Sequence, residues 1–473
     1  MTTFEIPESY SDKLETVEVG DTRTDEEILV SLNQHVPVTS EKNIWSFWHD
    51  GVLNMPAWCK RNVVDWVRIC GPEWTVRVLD NVPESPNYAL RYLSPRNLPD
   101  CFVDRTMEGP YVGQHSADFV RGAALLEHGG AWMDTGSILF MHMDRICWDN
   151  ICDPSSPYEV ATVLRVDQWI FNCFIAARKE NPFIRRVHDL FLHLWKGRKN
   201  HEGVAHTPLF RYLARMVTAN NDNSNNNNDG NNNANNDTQA QSQAETQQQG
   251  EQQQEGQQKP NGQLSLLDWK VSAQELLDYG AQMAAWNRVV LVEDPADGFS
   301  GPEYWARHVL LLDFTTELAM PARMLGAAKT GGARMLELLS MKRRSVTLLQ
   351  RGKGGEEEGE QKQEEGGARE DDDDDDGDEH EEAERVVWET LAHSSFWKIS
   401  RAKGLTHRPQ LGTLLDAPEN AGLDRAPGSY MELLRYGSVH FRQKRQNPSL
   451  REPPRPQFTL KTRLLEPEPV MAA

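Results

Sequence analysis

The chain contains 473 residues and carries a formal net charge of −21. Much of this charge is local, because residues 351–385 hold 18 acidic and 5 basic side chains. No basic stripe suited to a phosphate backbone is visible, so a nucleic-acid-binding function is not expected. No run reaches the ~18 apolar residues of a membrane-spanning helix, so no transmembrane segment is expected and a cytoplasmic location is favoured.

Low-complexity composition divides the chain. Residues 219–263 are mostly Asn and Gln, and residues 351–385 are mostly Gly, Glu and Asp. Neither segment has enough apolar surface to offset the entropy lost on ordering, so both are predicted to be disordered insertions. The other predicted parts are a poorly structured segment 1–42, a core made of 43–218, 264–350 and 386–445, and a flexible tail 446–473.

The first apolar-rich region predicts a β-α-β unit. The stretch "NIWSFWHDG", which begins at Asn43, is typical of a buried strand that ends in a turn at Asp50–Gly51. Apolar side chains at helical spacing predict a helix over Pro56–Cys70, and the alternation in Trp74–Asp80 predicts a second strand. This order of elements favours an α/β fold with a mostly parallel, doubly wound sheet flanked by helices.

The block "QHSADFVRGAALLEHGGAWMDTGS", residues 114–137, combines a helix, a turn and a strand. Asp118 and Arg121 are three residues apart and therefore lie on one helical face. Gly129 is placed to end the helix, and "AWM" predicts a short strand with Asp134 at its carboxyl end. Ligands of parallel sheets bind at this edge, so Asp134 is the leading candidate for a functional residue.

The triplet Asp-Thr-Gly that begins at Asp134 also occurs in aspartic proteases. A two-lobed aspartic protease needs two carboxylates that share one proton, and hence a second such triplet, which this sequence lacks. A retroviral-type protease supplies one triplet per subunit, but its fold is small and nearly all β, whereas a helix directly precedes the triplet here. An aspartic protease is therefore a remote alternative.

Residues 43–195 resemble the glycosyltransferases whose sugar-binding region contains a DXD motif, and in particular the capsular polysaccharide synthesis proteins. The family pattern is approximately Ser/Ala-Asp-x-x-Arg-x-x-x-Leu-x-x-x-Gly-Gly-x-Trp/Tyr-x-Asp. Its named positions are matched by Ala117, Asp118, Arg121, Leu125, Gly129, Gly130, Trp132 and Asp134. The stretches "NIWSFWHDG" and "FNCFIAARKENPFI" are similar to the family's opening strand and to its later Asn-x-x-Ile-Ala segment.

The resemblance implies a GT-A-like fold and a glycosyltransferase that moves a sugar from a UDP- or GDP-sugar to a hydroxyl of a glycan acceptor. It also implies Mn²⁺ or Mg²⁺ at the donor diphosphate, with Asp134 as metal ligand and with Asp134 and Asn172 as catalytic residues. The substrate-binding residues that it implies are Trp45, Asp50, Asp118, Arg121, Gly129, Gly130, Trp132 and Gly136. Some eukaryotic relatives work in the Golgi, which leaves that location open beside the cytoplasm.

Elementary chemistry agrees with these roles. A divalent cation neutralises a departing diphosphate as a Lewis acid, and it prefers hard oxygen ligands such as the carboxylate of Asp134. Asp118 is suited to accept hydrogen bonds from sugar hydroxyls, and Arg121 is suited to pair with Asp118 or with a phosphate. Glycines such as Gly129 allow the backbone to approach a donor closely.

One departure from the family pattern concerns its second acidic residue, which falls at position 136 and is Gly136 here. Either Asp134 suffices together with the phosphates, or another side chain completes the metal shell, for which His393 in "HSSFWK" is the candidate. The alternative function is a catalytically degenerate relative with a scaffold or binding role, and Gly136 keeps that alternative open.

Overall fold

The computed structural model describes residues 3–165, 169–216, 269–344 and 373–468. The strands are β1 (Leu14–Thr16), β2 (Asn43–Phe47), β3 (Thr75–Leu79), β4 (Gly130–Met133), β5 (Ser137–Leu139), β6 (Val160–Leu164), β7 (Ile170–Ala177), β8 (Val309–Asp313), β9 (Phe396–Lys398), β10 (Phe441–Gln443) and β11 (Leu450–Arg451). The labelled α-helices are α1 (Asp25–Leu32), α2 (Ala57–Cys70), α3 (Asp100–Val103), α4 (Val112–His128), α5 (Asp149–Cys152), α6 (Pro182–Trp195), α7 (Ala273–Tyr279), α8 (Ala281–Leu291), α9 (Gly301–His308), α10 (Phe314–Glu317), α11 (Met320–Met324), α12 (Ala327–Thr330), α13 (Ala333–Ser340), α14 (Asp373–His393), α15 (Leu411–Leu415) and α16 (Tyr430–His440).

A seven-stranded sheet forms the centre of the fold, in the order β11-β8-β6-β7-β4-β2-β3. Strand β2 is parallel to β3 and to β4, and β6 is parallel to β8. Strand β7 runs antiparallel to both β4 and β6, so these two share one direction, whereas β11 is antiparallel to β8. Five of these seven strands therefore point the same way, which confirms the predicted α/β fold with a mostly parallel sheet.

Both faces of this sheet are covered, as the pattern of β2 illustrates. All five of its residues are buried. Ile44 belongs to one hydrophobic cluster, which it shares with residues of α2, whereas Trp45 and Phe47 belong to a second cluster, with residues of α4 and α6. A strand that is buried on both faces has no side exposed to solvent, so even its two polar residues, Asn43 and Ser46, are buried.

Helix α4 and strand β4 run in opposite directions, so the two ends of the family motif lie close together. The helix ends at His128, the chain turns through Gly129, and β4 returns along the sheet. From Arg121 to His128 the helix rises about 11 Å, and from Gly130 to Asp134 an extended chain advances about 13 Å. Since the two distances nearly match, Arg121 and Asp134 meet at the carboxyl edge of the sheet.

A small antiparallel pair joins the C-terminal part of the core to this edge. Strand β9 pairs with β5, and Lys398 lies opposite Ser137 in the register. Helix α14 leads into β9 and begins at Asp373. The prediction of disorder for 351–385 is therefore wrong for residues 373–385, because this helix continues into buried apolar residues such as Val386 and Val387. The remaining residues of that segment, and the predicted insertion 219–263, lie outside the described ranges.

The two terminal segments are also more ordered than their composition predicts. Within 1–42, helix α1 begins with a capping box between Thr24 and Glu27, and β1 pairs with β10. Within the tail 446–473, β11 pairs with β8, and Arg288 donates hydrogen bonds to the carbonyl oxygens of Arg463, Leu464 and Glu466. Tertiary contacts thus order segments that lack a strong pattern of their own.

No helix within the described residues is both long and apolar enough to cross a membrane.

The packing of α6 against α4 makes stability depend on pH. His188 of α6 is 2% exposed, and its Nε2 lies 2.7 Å from the carbonyl oxygen of Asn97. Burial lowers the pKa of His188 to about 4, although the hydrogen bond to Asn97 acts in the opposite direction. The imidazole is therefore neutral in the folded protein at pH values where the unfolded chain would already bind a proton.

We expect the free energy of unfolding to fall as the pH is lowered from about 6.5 to about 4, because the unfolded state binds more protons over this range. The contribution of one such group is at most about 1.4 kcal/mol per pH unit. His188→Gln should flatten this slope in thermal or denaturant unfolding at several pH values. The exposed His407 is the control, and His407→Gln should leave the slope unchanged; an equal slope in all three proteins would contradict the assignment.

Candidate active site

Asp134 directly follows β4 at the carboxyl edge of the sheet. Its backbone N–H donates to the carbonyl oxygen of Cys173 on β7, 3.0 Å away, which fixes its position beside that strand. Side chains of α2 hold the backbone of the residues that follow Asp134. Asn62 Nδ2 donates to the carbonyl oxygen of Thr135 at 2.7 Å, and Trp66 Nε1 donates to that of Ser137 at 2.9 Å. The turn that carries Asp134 is therefore rigidly attached to α2 and β7.

The carboxylate of Asp134 accepts hydrogen bonds on both oxygens. Oδ1 lies 2.9 Å from Trp132 Nε1 and 3.4 Å from a terminal nitrogen of Arg121, and Oδ2 lies 2.9 Å from Lys398 Nζ. Burial alone would raise the pKa of Asp134, but the charges of Lys398 and Arg121 and the hydrogen bonds from Lys398 and Trp132 outweigh it. The pKa consequently lies below its usual value, and the group is a carboxylate at neutral pH.

Arg121 links the Asp134 carboxylate to a second set of polar side chains, all of them buried or partly buried. One terminal nitrogen of Arg121 donates to Asp118 Oδ1 at 2.6 Å and also to Gln282 Oε1. Asn172 Nδ2 lies 2.9 Å from Gln282 Oε1 and 3.3 Å from Asp118 Oδ1. The guanidinium also lies over the ring of Trp132, 4.9 Å from its centroid. Helix α4, strand β7 and helix α8 thereby meet at one hydrogen-bonded centre.

An aromatic group lies beside Asp118. The rings of Tyr111 and Tyr279 have centroids 4.9 Å apart, and the ring of His115 lies 5.7 Å from that of Tyr279. His115 is 2% exposed and neither of its nitrogens has a hydrogen-bond partner within the described residues, although Nδ1 is 3.6 Å from Asp118 Oδ2. Burial raises the pKa of Tyr279, and the nearby charges of Asp118 and Asp134 add to this. The phenol therefore stays protonated and available as a donor.

A further cation lies on the other side of the Asp134 turn. The guanidinium of Arg401 lies 4.9 Å from the ring centroid of Trp48, which follows β2, and 4.6 Å from that of Trp58. It pairs with Asp416 through two hydrogen bonds of 2.6 and 3.1 Å. Asp50 follows in the same turn after β2 and is exposed. The carboxyl edge thus carries three basic side chains, those of Arg121, Lys398 and Arg401.

The structure brings four of the predicted residues together, namely Asp118, Arg121, Asn172 and Asp134. Trp132 belongs to the same cluster, but it is 1% exposed and acts by holding Asp134 rather than by facing a substrate. Asp50 lies at the same edge, apart from the hydrogen-bonded centre. Gly136 follows Asp134 in the turn.

Three residues for which substrate contact is predicted lie where they shape the core. Trp45 is completely buried, and its indole N–H donates to the carbonyl oxygen of Gly129 at 2.8 Å. Gly129 and Gly130 have φ values of +68° and +101° and lie at the start of β4, at the opposite end of the strand from Asp134. A Cβ on Gly130 would lie 2.5 Å from the carbonyl oxygen of Asn43. Both glycines therefore permit close backbone packing at this end of the strand.

The predicted metal pair of Asp134 and His393 is not formed. His393 lies at the end of α14, where Nδ1 contacts the backbone and side-chain oxygens of Glu389 on the same helix at 3.2 and 3.1 Å. Within the described ranges no group of three or more His, Cys, Asp or Glu side chains is arranged to hold a metal ion. Both oxygens of Asp134 already accept N–H donors, so the side chains present do not fit Mn²⁺ or Mg²⁺ held by protein ligands at this edge.

Lys398, Gln282 and Arg401 were missed from the sequence. Gln282 and Lys398 reach their partners across 161 and 264 residues of chain. The one local signal for Lys398 is a charged residue directly after the aromatic pair Phe396–Trp397, as expected at a strand end that faces solvent or a ligand. Gln282 lies within a helical apolar stretch and carried no such signal.

Comparison with known proteins gives the class. The sequence profile of the capsular polysaccharide synthesis protein family matches residues 10–278. The protein named "Probable glycosyltransferase FCK3", from Fusarium pseudograminearum (strain CS3096), is 41% identical over 463 residues, which cover 98% of this chain and 99% of that protein. "O-glycosyltransferase braB" of Annulohypoxylon truncatum is 35% identical, covering 90% of this chain and 86% of the relative. "O-glycosyltransferase PaGT" of Phomopsis amygdali is 33% identical, covering 90% and 88%.

A mostly parallel α/β sheet with an Asp–Arg–Asp cluster at its carboxyl edge, together with these relatives, defines a glycosyltransferase. The chain belongs to the capsular polysaccharide synthesis protein family. The resemblance inferred from the motif is thereby confirmed, and an aspartic protease is excluded because the helix and strand around Asp134 belong to this fold.

Trp132→Phe should lower turnover about 10-fold or more while the protein stays folded, because it removes one hydrogen bond to a charged acceptor, worth about 1.5–3 kcal/mol. Steady-state kinetics and a melting curve measure the two effects. Trp286 is a matched control, since its indole is equally buried and its N–H has no hydrogen-bond partner in the described part of the chain. Equal losses of turnover in Trp132→Phe and Trp286→Phe would show that the bond to Asp134 has no functional role.

Proposed function

We propose that the protein transfers a sugar from a nucleoside diphosphate sugar to a hydroxyl group, with the reaction taking place at the Asp134 edge of the sheet. The observation that supports this most is the joining of Arg121 and Lys398 to one ionised carboxylate, Asp134, at the edge where ligands of such sheets bind. Basic groups fixed in a half-buried site suit a diphosphate, whose charge increases when the sugar departs.

The bond changes balance as follows. The bond between the anomeric carbon and the β-phosphate oxygen breaks, and its electron pair stays on the phosphate. The acceptor oxygen forms the new bond to the anomeric carbon, and its proton passes to water. Arg121 and Lys398, with Arg401 at the far side of the turn, are placed to stabilise the departing diphosphate through charge-assisted hydrogen bonds.

The other half of the cluster suits the sugar. Asp118 and Asn172 offer acceptor and donor atoms next to Asp134, and carboxylate and amide groups are the usual partners of sugar hydroxyls. His115 adds two ring nitrogens that lack partners in the described structure. Tyr111 and Tyr279 provide aromatic surface beside these groups. We therefore assign this side to the transferred sugar, and the side of Trp48 and Asp50 to the nucleotide.

A hydroxyl acceptor is supported by the names of two relatives, which describe them as O-glycosyltransferases. The alternative of a degenerate, non-catalytic relative rested on Gly136. Against it stands the cluster of Asp118, Arg121, Asn172 and Asp134, in which the charges of Asp118 and Arg121 are buried and therefore costly to keep without a use.

The test is donor binding and donor hydrolysis with a panel of UDP- and GDP-sugars, in a buffer that contains Mn²⁺ so that the outcome does not depend on the cation. At least one donor should raise the melting temperature and be hydrolysed or transferred. Asp134→Asn should reduce turnover about 100-fold or more, because it leaves Lys398 without its counter-charge and removes one of the two carboxylates that Arg121 contacts. Asp297 also pairs with an arginine but lies outside the site, and Asp297→Asn should keep full turnover.

Stabilisation by a nucleotide without any turnover would favour the degenerate relative. No stabilisation by any member of the panel would refute the proposed donor class.

A further inference from the structure

We propose that the ammonium group of Lys398 takes the place that a divalent cation holds in the family pattern, so that the donor diphosphate is bound and released without a metal ion. This inference rests on the proposed function, since it concerns the same diphosphate. It explains how the chain can lack the second carboxylate of the motif and still keep the rest of the site.

The position of Lys398 is the first observation. Its Nζ lies 2.9 Å from Asp134 Oδ2, the oxygen that Trp132 and Arg121 leave free. Its side chain is 15% exposed, so the charge is neither fully buried nor free in solvent. An ammonium has three N–H donors, and one of them suffices for Asp134. The other two remain for phosphate oxygens.

The fold places this ammonium independently of any ligand. Lys398 ends β9, and the backbone N–H of Ile399 donates to the carbonyl oxygen of Gly136 at 2.8 Å. The register of β9 against β5 places Lys398 opposite Ser137. The lysine is thus attached to the same turn that carries Asp134, and the distance between the two charges is set by strand pairing.

Gly136 is the second observation. A Cβ at this position would lie 2.7 Å from the carbonyl oxygen of Ile399, 3.1 Å from Lys398 Nζ and 3.5 Å from the ring of Trp58. An acidic side chain at position 136 therefore has no room, because backbone of the β9 segment and the lysine itself occupy the space. The packing of the β9 segment against Gly136 therefore both excludes a second carboxylate and brings the ammonium of Lys398 to this position.

The charges balance in the same way in both arrangements. Two carboxylates and a divalent cation sum to zero, and so do the single carboxylate of Asp134 and the ammonium of Lys398. Arg121 is matched by Asp118 and Arg401 by Asp416, so neither changes this count. If the second carboxylate were absent and Lys398 were also absent, a divalent cation at this site would be balanced by only one of the two negative charges it needs. The pair of Gly136 and Lys398 preserves the electrostatics that the departing diphosphate requires.

The experiment measures nucleotide binding and turnover in parallel. Metal-free enzyme is titrated with UDP and with GDP by calorimetry, first in EDTA and then in excess Mn²⁺. The Kd of the nucleotide that binds should agree within about two-fold between the two conditions, and turnover of the matching sugar donor should persist in EDTA. Titration of free Mn²⁺ with the protein alone, followed by electron paramagnetic resonance, should show no binding at this site. Binding or turnover that disappears in EDTA and returns with Mn²⁺ would overturn the inference.

Variants separate charge from packing. Lys398→Met should weaken nucleotide binding in EDTA about 10-fold or more and lower turnover about 100-fold. Lys398→Arg keeps the charge and should retain a substantial part of both. The exposed Lys403 on the same segment is the control, and Lys403→Met should behave as the parent protein. Melting curves confirm that all variants are folded.

If Lys398→Met bound the nucleotide as tightly as the parent protein, Lys398 would not have the proposed role. If neither nucleotide bound in EDTA or in Mn²⁺, the proposed function would fail together with this inference. Metal-dependent binding would overturn this inference alone.

Discussion

The buried guanidinium of Arg121 is the group on which the rest of the site depends. It is 4% exposed, and a buried charge costs several kcal/mol unless it is paired and hydrogen-bonded. Its partners come from three elements: Asp118 from α4 itself, Gln282 from α8, and both the ring of Trp132 and the carboxylate of Asp134 from β4 and its end. Asn172 on β7 completes the group through Gln282. The requirement to satisfy one cation therefore draws helix and sheet together at the carboxyl edge of the sheet.

The other charged groups at this edge follow from the same constraint. Arg121 serves Asp118 and Asp134 at once, which leaves one oxygen of Asp134 to be balanced from the opposite side. Lys398 supplies that balance from a strand of the C-terminal part of the core. Asp134 thus lies between Asp118 and Arg121 on one side and Lys398 on the other.

What the sequence reveals depends on how local each contact is. Asp118, Arg121 and Asp134 lie within one helix-turn-strand unit, where the rise of helix and strand determines which residues meet, so their convergence follows from spacing alone. Lys398 and Gln282 arrive through strand pairing and helix packing across low-complexity segments, and no periodicity encodes such contacts. Trp45 and Gly130 were assigned to the substrate because a motif records which residues recur without distinguishing packing from binding. For Gly130 the distinction comes from its positive φ angle and from the close contacts that a Cβ at this position would make.

The attachment of β9 to β5 also determines when the charges around Asp134 become complete during synthesis. The helix, turn and strand that present Arg121 and Asp134 leave the ribosome early, because they lie within the first third of the chain, and N-terminal units generally begin to fold first. Lys398 follows more than 260 residues later. A nascent chain therefore displays an Asp134 carboxylate that has only part of its counter-charge until translation delivers the lysine.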